Sequence, residues 1–184
     1  YIAYSDIYVT SGSAYSGYSG TTSFDGEGAI TSAIDYVVNS EQPKMYILNG
    51  HGEAEFSTTF SNQLTKENIE TEKFSLLTTN EVPDDADFVL INAPSSDISE
   101  EEKNMLEDYF NNGGKLLVMA GPVESGDLPN LYSLLSDYGV KSDNGVVVDT
   151  DHDHYAFQAP YILMPTIESS DITDPLLDES YYAI

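Results

Sequence analysis

The chain has 184 residues, a length that suits a single domain and allows a sizeable core. It is strongly acidic, with 32 aspartates and glutamates against six basic residues and a formal net charge of −26 at pH 7. This balance argues against a nucleic acid or an anionic membrane surface as a partner, because both attract cations. The absence of cysteine excludes disulfides and thiol catalysis.

The chain opens with a segment, residues 1–26, that is rich in tyrosine, serine, glycine and threonine. Within it, residues 7–9 are predicted to form a short strand and residues 11–22 a surface loop. A helix is then predicted over residues 27–38, because apolar residues recur at three- and four-residue spacing. These residues form one apolar stripe: Ile30, Ala33, Ile34, Val37 and Val38.

From Lys44 onward, short apolar runs alternate with amphipathic stretches. A helix that follows Ser99 is clearly signalled, because Ser99 and Glu102 form a capping box and Gly113 provides a stop. The apolar runs predict strands at residues 44–48, 69–77, 88–91, 115–120 and 146–149, and further helices are predicted at residues 54–66 and 128–138. Alternating strands and helices indicate a parallel sheet with right-handed crossovers.

This element order predicts an α/β fold with a doubly wound, mostly parallel sheet. The expected three-layer architecture is flavodoxin-like, or like that of the class I glutamine amidotransferases. We expect the doubly wound domain to occupy residues 27–150, after the N-terminal segment of residues 1–26. Residues 151–184 are expected to form an extended segment that packs on the domain or leads out of it.

A candidate ligand-binding site follows from the expected strand order. Ligands of open α/β sheets bind beyond the carboxyl ends of the strands, where the strand order reverses. In a flavodoxin-like order, this point lies between the predicted strands at residues 44–48 and 88–91, where the loops at residues 49–53 and 92–96 meet. The candidate ligand-binding residues are Asn49, His51, Glu53, Asn92 and Ser95.

His51 and Glu53 leave two interpretations open. As general base and general acid, they would make the domain a hydrolase or a sugar-processing enzyme. As parts of a strand-to-helix turn they would be structural, with Glu53 favourably placed at a helix start. The chain shows no dinucleotide fingerprint, Walker loop or serine nucleophile elbow. We therefore assign no catalytic residue and expect no cofactor.

The run from Asp149 to His154 is a second candidate site, for a divalent metal. It holds three aspartates and two histidines, and both residue types bind divalent metals. It does not match an EF-hand loop, because glycine and glutamate are missing from the sixth and twelfth positions. A metal-dependent sensing domain and a solvated acidic loop both remain open. The candidate metal ligands are Asp151, His152, Asp153 and His154.

Several blocks of the chain resemble the auxiliary components of uncharacterised ABC-type transport systems, of the gliding-motility-associated type. The blocks are Ala-Ile-Thr-Ser-Ala-Ile at residues 29–34, Met-Tyr-Ile-Leu-Asn-Gly-His-Gly-Glu at 45–53, and the segments at 82–94, 99–118 and 131–149. The resemblance continues weakly through residues 173–176 and carries over no catalytic residue.

The resemblance implies a domain on the extracytoplasmic side of the cytoplasmic membrane, and together with the missing nucleophile it favours a non-enzymatic binding or docking role. Such a domain would be anchored by flanking helices outside this segment, since the chain itself has no apolar run long enough to span a bilayer. Its expected partners are the permease and ATPase subunits of an ABC transporter, or another extracytoplasmic protein.

Overall fold

The computed structural model describes residues 1–11, 21–123, 126–143 and 145–178. Most of the loop predicted at residues 11–22 lies outside these ranges. The chain divides into two compact units, Tyr1–Val140 and Lys141–Ile184. Within the described ranges, no helix has the length and apolar content needed to cross a bilayer.

The first unit begins with a small helix and a hairpin. Helix α1 (Tyr4–Ile7) leads into strand β1 (Tyr8–Ser11), which pairs antiparallel with β2 (Thr21–Phe24). Helix α2 (Gly26–Val38) follows directly. The predicted short strand and the predicted first helix are thus both confirmed.

A four-stranded parallel sheet forms the centre of this unit. Its strands are β3 (Lys44–Leu48), β4 (Glu70–Phe74), β5 (Phe88–Asn92) and β6 (Leu116–Met119). They lie in the order β4-β3-β5-β6, and every neighbouring pair is parallel. The chain therefore leaves β3 to one side and later returns to its other side, which places the reversal of strand order between β3 and β5. The predicted flavodoxin-like α/β fold is confirmed.

Two of the connecting segments differ from their predicted bounds. Helix α3 (Thr58–Lys66) begins later than predicted, because the Ser57 hydroxyl accepts a hydrogen bond from the Phe60 N–H and caps the helix there. The strand predicted over residues 69–77 ends at Phe74, and the short helix α4 (Leu76–Thr79) takes its last residues.

The remaining helices of the unit agree with prediction. They are α5 (Glu100–Asn111) and α6 (Pro129–Asp137). The capping box of α5 is present, since Ser99 and Glu102 exchange side-chain to backbone hydrogen bonds of 3.2 and 2.9 Å.

The sheet is covered on both faces, because alternate side chains of each strand point to opposite sides. Tyr46 and Leu48 of β3 belong to a larger apolar cluster with α5 and α6, whereas Met45 and Ile47 belong to a smaller cluster that includes Leu64 of α3. The larger cluster contains the fully buried residues Leu76, Val89, Ile91, Leu106 and Leu134.

The prediction of a strand at residues 146–149 is wrong. Val146, Val147 and Val148 are exposed and form no strand, although the Asp149 N–H donates to the Pro160 carbonyl. A run of β-branched residues becomes a strand only where a neighbouring strand and an apolar surface receive it. The second unit instead contains a 3₁₀ turn at His152–His154 and a helix α7 (Asp174–Asp178).

Candidate functional site

The loops that follow β3 and β5 meet at the carboxyl edge of the sheet. Their junction is the backbone carbonyl of His51, which accepts hydrogen bonds from the N–H groups of Ser95 and Ser96, both at 2.9 Å. The Ser95 hydroxyl adds a third donor at 3.3 Å. One carbonyl oxygen therefore holds the two loops in a fixed relative position.

Gly52 permits this close approach. Its φ is +70°, a conformation that residues with a side chain rarely adopt. A Cβ atom built at this position would overlap the Ser95 hydroxyl. The glycine between His51 and Glu53 is thus required by both backbone conformation and space.

The His51 imidazole lies between two carboxylates. Its Nδ1 is 3.1 Å from Glu53 Oε1, and its Nε2 is 3.2 Å from Glu102 Oε2. All three side chains are buried, with exposed side-chain fractions of 6%, 5% and 2% for His51, Glu53 and Glu102. We call these three residues the buried triad.

The carboxylates of the triad also bind backbone groups. Glu53 Oε2 accepts the N–H groups of Gly50 and His51 at 3.0 and 2.9 Å, and Glu102 Oε2 accepts the N–H of Ser99 at 2.9 Å. Because α3 begins only at Thr58, Glu53 does not lie at a helix start. It closes its own loop instead, whereas Glu102 ties that loop to the first turn of α5.

The electrostatics of the triad favour a charged histidine. The hydrogen bond to Glu53 is the main cause that raises the pKa of His51 above its ordinary value of 6.5, and the negative charge of Glu102 adds to it against the effect of burial. Burial alone would raise the pKa of Glu53, but hydrogen bonds from His51 and the loop backbone hold it below its ordinary value of 4.5. An imidazolium flanked by carboxylates donates from both ring nitrogens and keeps neither free to accept a proton.

The remaining candidate residues divide into buried and exposed positions. Asn92 is buried. Its side-chain amide donates to the Ala54 backbone carbonyl at 2.6 Å, and its backbone carbonyl accepts the Ala54 N–H at 2.9 Å. Asn49 and Ser95 are exposed. The structure therefore brings the five candidates to one edge, where His51, Glu53 and Asn92 hold the loops and Asn49 and Ser95 contact solvent.

Glu102 is the member of the buried triad that the sequence did not assign to this site. The capping box accounts fully for its place at the start of α5, and it is 51 positions from His51 in the chain. The position of Glu102 in the element order was the one signal that could have placed it at this site. Helix α5 starts just after the loop of β5, so its first turn belongs to the same edge of the sheet as His51.

Comparison with known families identifies the domain. Residues 42–164, more than half of the chain, match a family described as an ABC-type uncharacterized transport system. The chain belongs to this family. The resemblance to an auxiliary ABC transport component is thereby confirmed, and the match includes the whole sheet and the buried triad. No curated protein and no solved structure matches the chain significantly.

The auxiliary component presents a small, uncharged surface above the triad. We call this the carboxyl-edge surface, and it consists of Asn49, Gly50, Gly52, Ser95 and Ser96. All five residues are exposed, and none carries a charge, although the chain has a net charge of −26.

Two cavities of the auxiliary component lie away from this surface. One, of about 510 Å³, is at the amino ends of β5 and β6, where Val82, Tyr109 and Lys115 are among its lining residues. The other, of about 520 Å³, lies between α2 and the turn at Lys66 and Asn68. Neither is lined by a residue of the buried triad.

The candidate metal ligands in the second unit make separate contacts. His154 Nδ1 lies 3.0 Å from Asp149 Oδ2, Asp151 accepts the N–H of Asp153 at 3.0 Å, and His152 contacts the Tyr155 hydroxyl. Across residues 1–11, 21–123, 126–143 and 145–178, no group of three or more histidine, aspartate or glutamate side chains is arranged so that it could hold a metal ion. The binding of a metal by Asp151, His152, Asp153 and His154 stays a prediction.

Proposed function

We propose that the chain is a non-enzymatic docking domain of an ABC-type transport system. It acts on the extracytoplasmic side of the cytoplasmic membrane and binds the permease, or another extracytoplasmic protein of the system, through the carboxyl-edge surface. The observation that carries the proposal is the His51 carbonyl with its three donors, which immobilises two loops beneath an exposed, uncharged surface.

The composition of this surface suits protein binding. The centres of protein interfaces are depleted of charged residues, and Asn49, Ser95 and Ser96 offer polar groups without charge. The glycines allow a partner backbone to approach closely. Because the buried triad already holds the loops in place, little conformational entropy is lost when a partner binds.

The contacts of the triad support a structural role beneath this surface. A general base needs a ring nitrogen that can accept a proton from the substrate. Both nitrogens of His51 face carboxylates, and one oxygen of each carboxylate also accepts backbone N–H groups. Catalysis by His51 would require it to leave one of these partners and so to release a loop.

The side of the membrane is tested by chemical labelling. The chain contains no cysteine, so Ser96→Cys introduces a single reactive thiol into this domain at an exposed position. Intact cells that express the full-length protein are treated with a membrane-impermeant maleimide. We expect labelling before lysis, at the level of an extracytoplasmic marker protein. Labelling that occurs only after lysis would overturn the proposed location.

Docking is tested by site-specific photo-crosslinking in the full-length protein. A benzophenone amino acid at Ser96 is compared with the same amino acid at Asp84, an exposed residue of the turn that precedes β5, at the opposite edge of the sheet. With the permease co-expressed, we expect a crosslinked product from position 96 that contains the permease or another extracytoplasmic protein of the system. Equal yields at both positions, or no product from position 96, would refute docking by this surface.

A further inference from the structure

Helix α2 is attached to the rest of its unit by its polar side. The Asn68 amide donates to the Ser32 carbonyl at 2.9 Å and to Asp35 Oδ2 at 3.0 Å. The Ser32 hydroxyl bonds to the Lys66 carbonyl, and the Lys66 ammonium pairs with Asp25. These contacts place α2 against the turn before β4, away from the carboxyl-edge surface.

The apolar side of α2 consequently faces solvent. Successive helical residues are rotated by about 100°, so Ser32, two positions from both Ile30 and Ile34, lies on the opposite side of the helix from them. Ser32 contacts the domain, and the isoleucines point away from it. We call the four apolar residues of this side the outer face of α2, and their exposed fractions are 50% for Ile30, 55% for Ile34, 77% for Val37 and 73% for Val38.

This orientation is the reverse of that in an ordinary surface helix, whose apolar stripe packs on the core. Isolated exposed apolar residues are common, but a continuous exposed stripe marks an interaction site. The four side chains recur at spacings of four, three and one along 13 residues of helix. They form one ridge of the kind that packs between the side chains of another helix.

The charges around the outer face indicate which kind of partner can bind it. Residues 25–42 contain no lysine or arginine, and exposed acids lie beyond both ends of the apolar ridge, at Glu27 and Glu41. A second copy would bring the same acidic ends and another net charge of −26. An anionic bilayer would be repelled for the same reason. A partner with an apolar stripe between basic residues would satisfy both the ridge and its ends.

We infer that the outer face of α2 docks an amphipathic helix of another polypeptide, whose apolar stripe is bordered by lysine or arginine. This is a second interaction surface, separate from the carboxyl-edge surface, and its test does not depend on the proposed docking there.

The test measures the binding of a defined helical peptide to two matched double variants. The probe is a fluorescent peptide with a leucine stripe bordered by lysines, and a second peptide carries glutamates in place of the lysines. Ile34→Lys/Val37→Lys changes the outer face. Thr59→Lys/Asn62→Lys adds the same charge at the same spacing on exposed positions of α3.

We expect the lysine-bordered peptide to bind the unchanged chain and the glutamate-bordered peptide not to bind. Ile34→Lys/Val37→Lys should weaken binding at least ~10-fold, as the loss of interface anchors does, whereas the α3 double variant should change it by about twofold or less. Thermal unfolding should differ little between the variants, because all four positions are exposed.

Three results would overturn the inference. Equal weakening by the two double variants would mean that the lysine peptide is held by overall charge. Concentration-dependent dimerisation of the unchanged chain, lost in Ile34→Lys/Val37→Lys, would identify a second copy as the occupant. Sedimentation of the unchanged chain, but not of this variant, with phosphatidylcholine vesicles would identify a lipid surface.

Discussion

Removal of the Glu102 carboxylate is the sharpest test of the buried triad. Glu102→Ala takes away the partner of His51 Nε2 and the acceptor of the Ser99 N–H. Glu102 is 1% exposed, so water does not replace either bond without a local rearrangement. Breaking a buried ion pair by removing one partner costs about 3–5 kcal/mol, and we expect a loss of stability in this range.

Glu102→Gln separates charge from shape at the same position. Its carbonyl oxygen can still accept from Ser99 and His51, but the amide NH₂ would take the place of Oε1, which has no hydrogen-bond partner among the described residues. An unsatisfied buried donor costs about 1–3 kcal/mol. The expected loss of stability is therefore smaller than for Glu102→Ala and greater than zero.

Urea unfolding followed by circular dichroism measures both variants, with Glu101→Ala as the matched control. Glu101 lies beside Glu102 in the first turn of α5 but is exposed, so its replacement should change stability by no more than ~0.5 kcal/mol. Histidine titration by NMR adds an independent measurement, because the loss of the Glu102 charge should lower the pKa of His51 towards 6.5. A cost of Glu102→Ala equal to that of Glu101→Ala, with an unchanged His51 titration, would refute the triad.

Three further predictions follow from the same geometry. Because the pKa of His51 is raised and that of Glu53 is lowered in the folded state, their contribution to stability should be lost as pH rises through the folded pKa of His51 and as pH falls through that of Glu53. Urea unfolding measured across pH should show both losses of stability. If the loss at the higher pH persisted in His51→Gln, the assignment to His51 would be wrong. Gly52→Ala should lower the free energy of unfolding by more than ~1 kcal/mol, since φ is +70° and the Ser95 hydroxyl occupies the space of the added methyl group. The double variant Gly52→Ala/Ser95→Gly should recover part of this loss, and the absence of any recovery would argue against the overlap. Leu90→Ala should cost about 2–5 kcal/mol in the same assay, because Leu90 is fully buried in the centre of the sheet, and a cost below this range would show that the cluster on the α3 side collapses around the cavity.

Elements with a local signal could be predicted from the sequence. Strands β3, β5 and β6 are short apolar runs, and helices α2, α5 and α6 have apolar residues at helical spacing. Their alternation led to the parallel sheet and to the position of the edge where Asn49, His51, Glu53, Asn92 and Ser95 lie. The family resemblance, confirmed by the match to residues 42–164, rests on these same segments.

Features that depend on a distant neighbour could not be predicted in this way. Val146, Val147 and Val148 have the β-branched side chains of a strand, but the described structure provides them with no partner strand. The apolar spacing of α2 is visible in the sequence, yet it does not specify the side on which the helix is attached. That side is set by the contacts of Ser32 with Lys66 and Asn68, more than 30 positions away.

The same division applies to the loop of Asn49, Gly50, His51, Gly52 and Glu53. The sequence by itself determined that this loop follows a buried strand, that glycines give it a tight turn and that a histidine lies beside a carboxylate. Only the tertiary structure decided that Glu102 reaches the second nitrogen of His51 and that the imidazole is enclosed between two carboxylates. The physical reason is that hydrophobic periodicity and capping act between residues a few positions apart, whereas the contact of residues 51 and 102 exists only after β3, β5 and α5 have packed together.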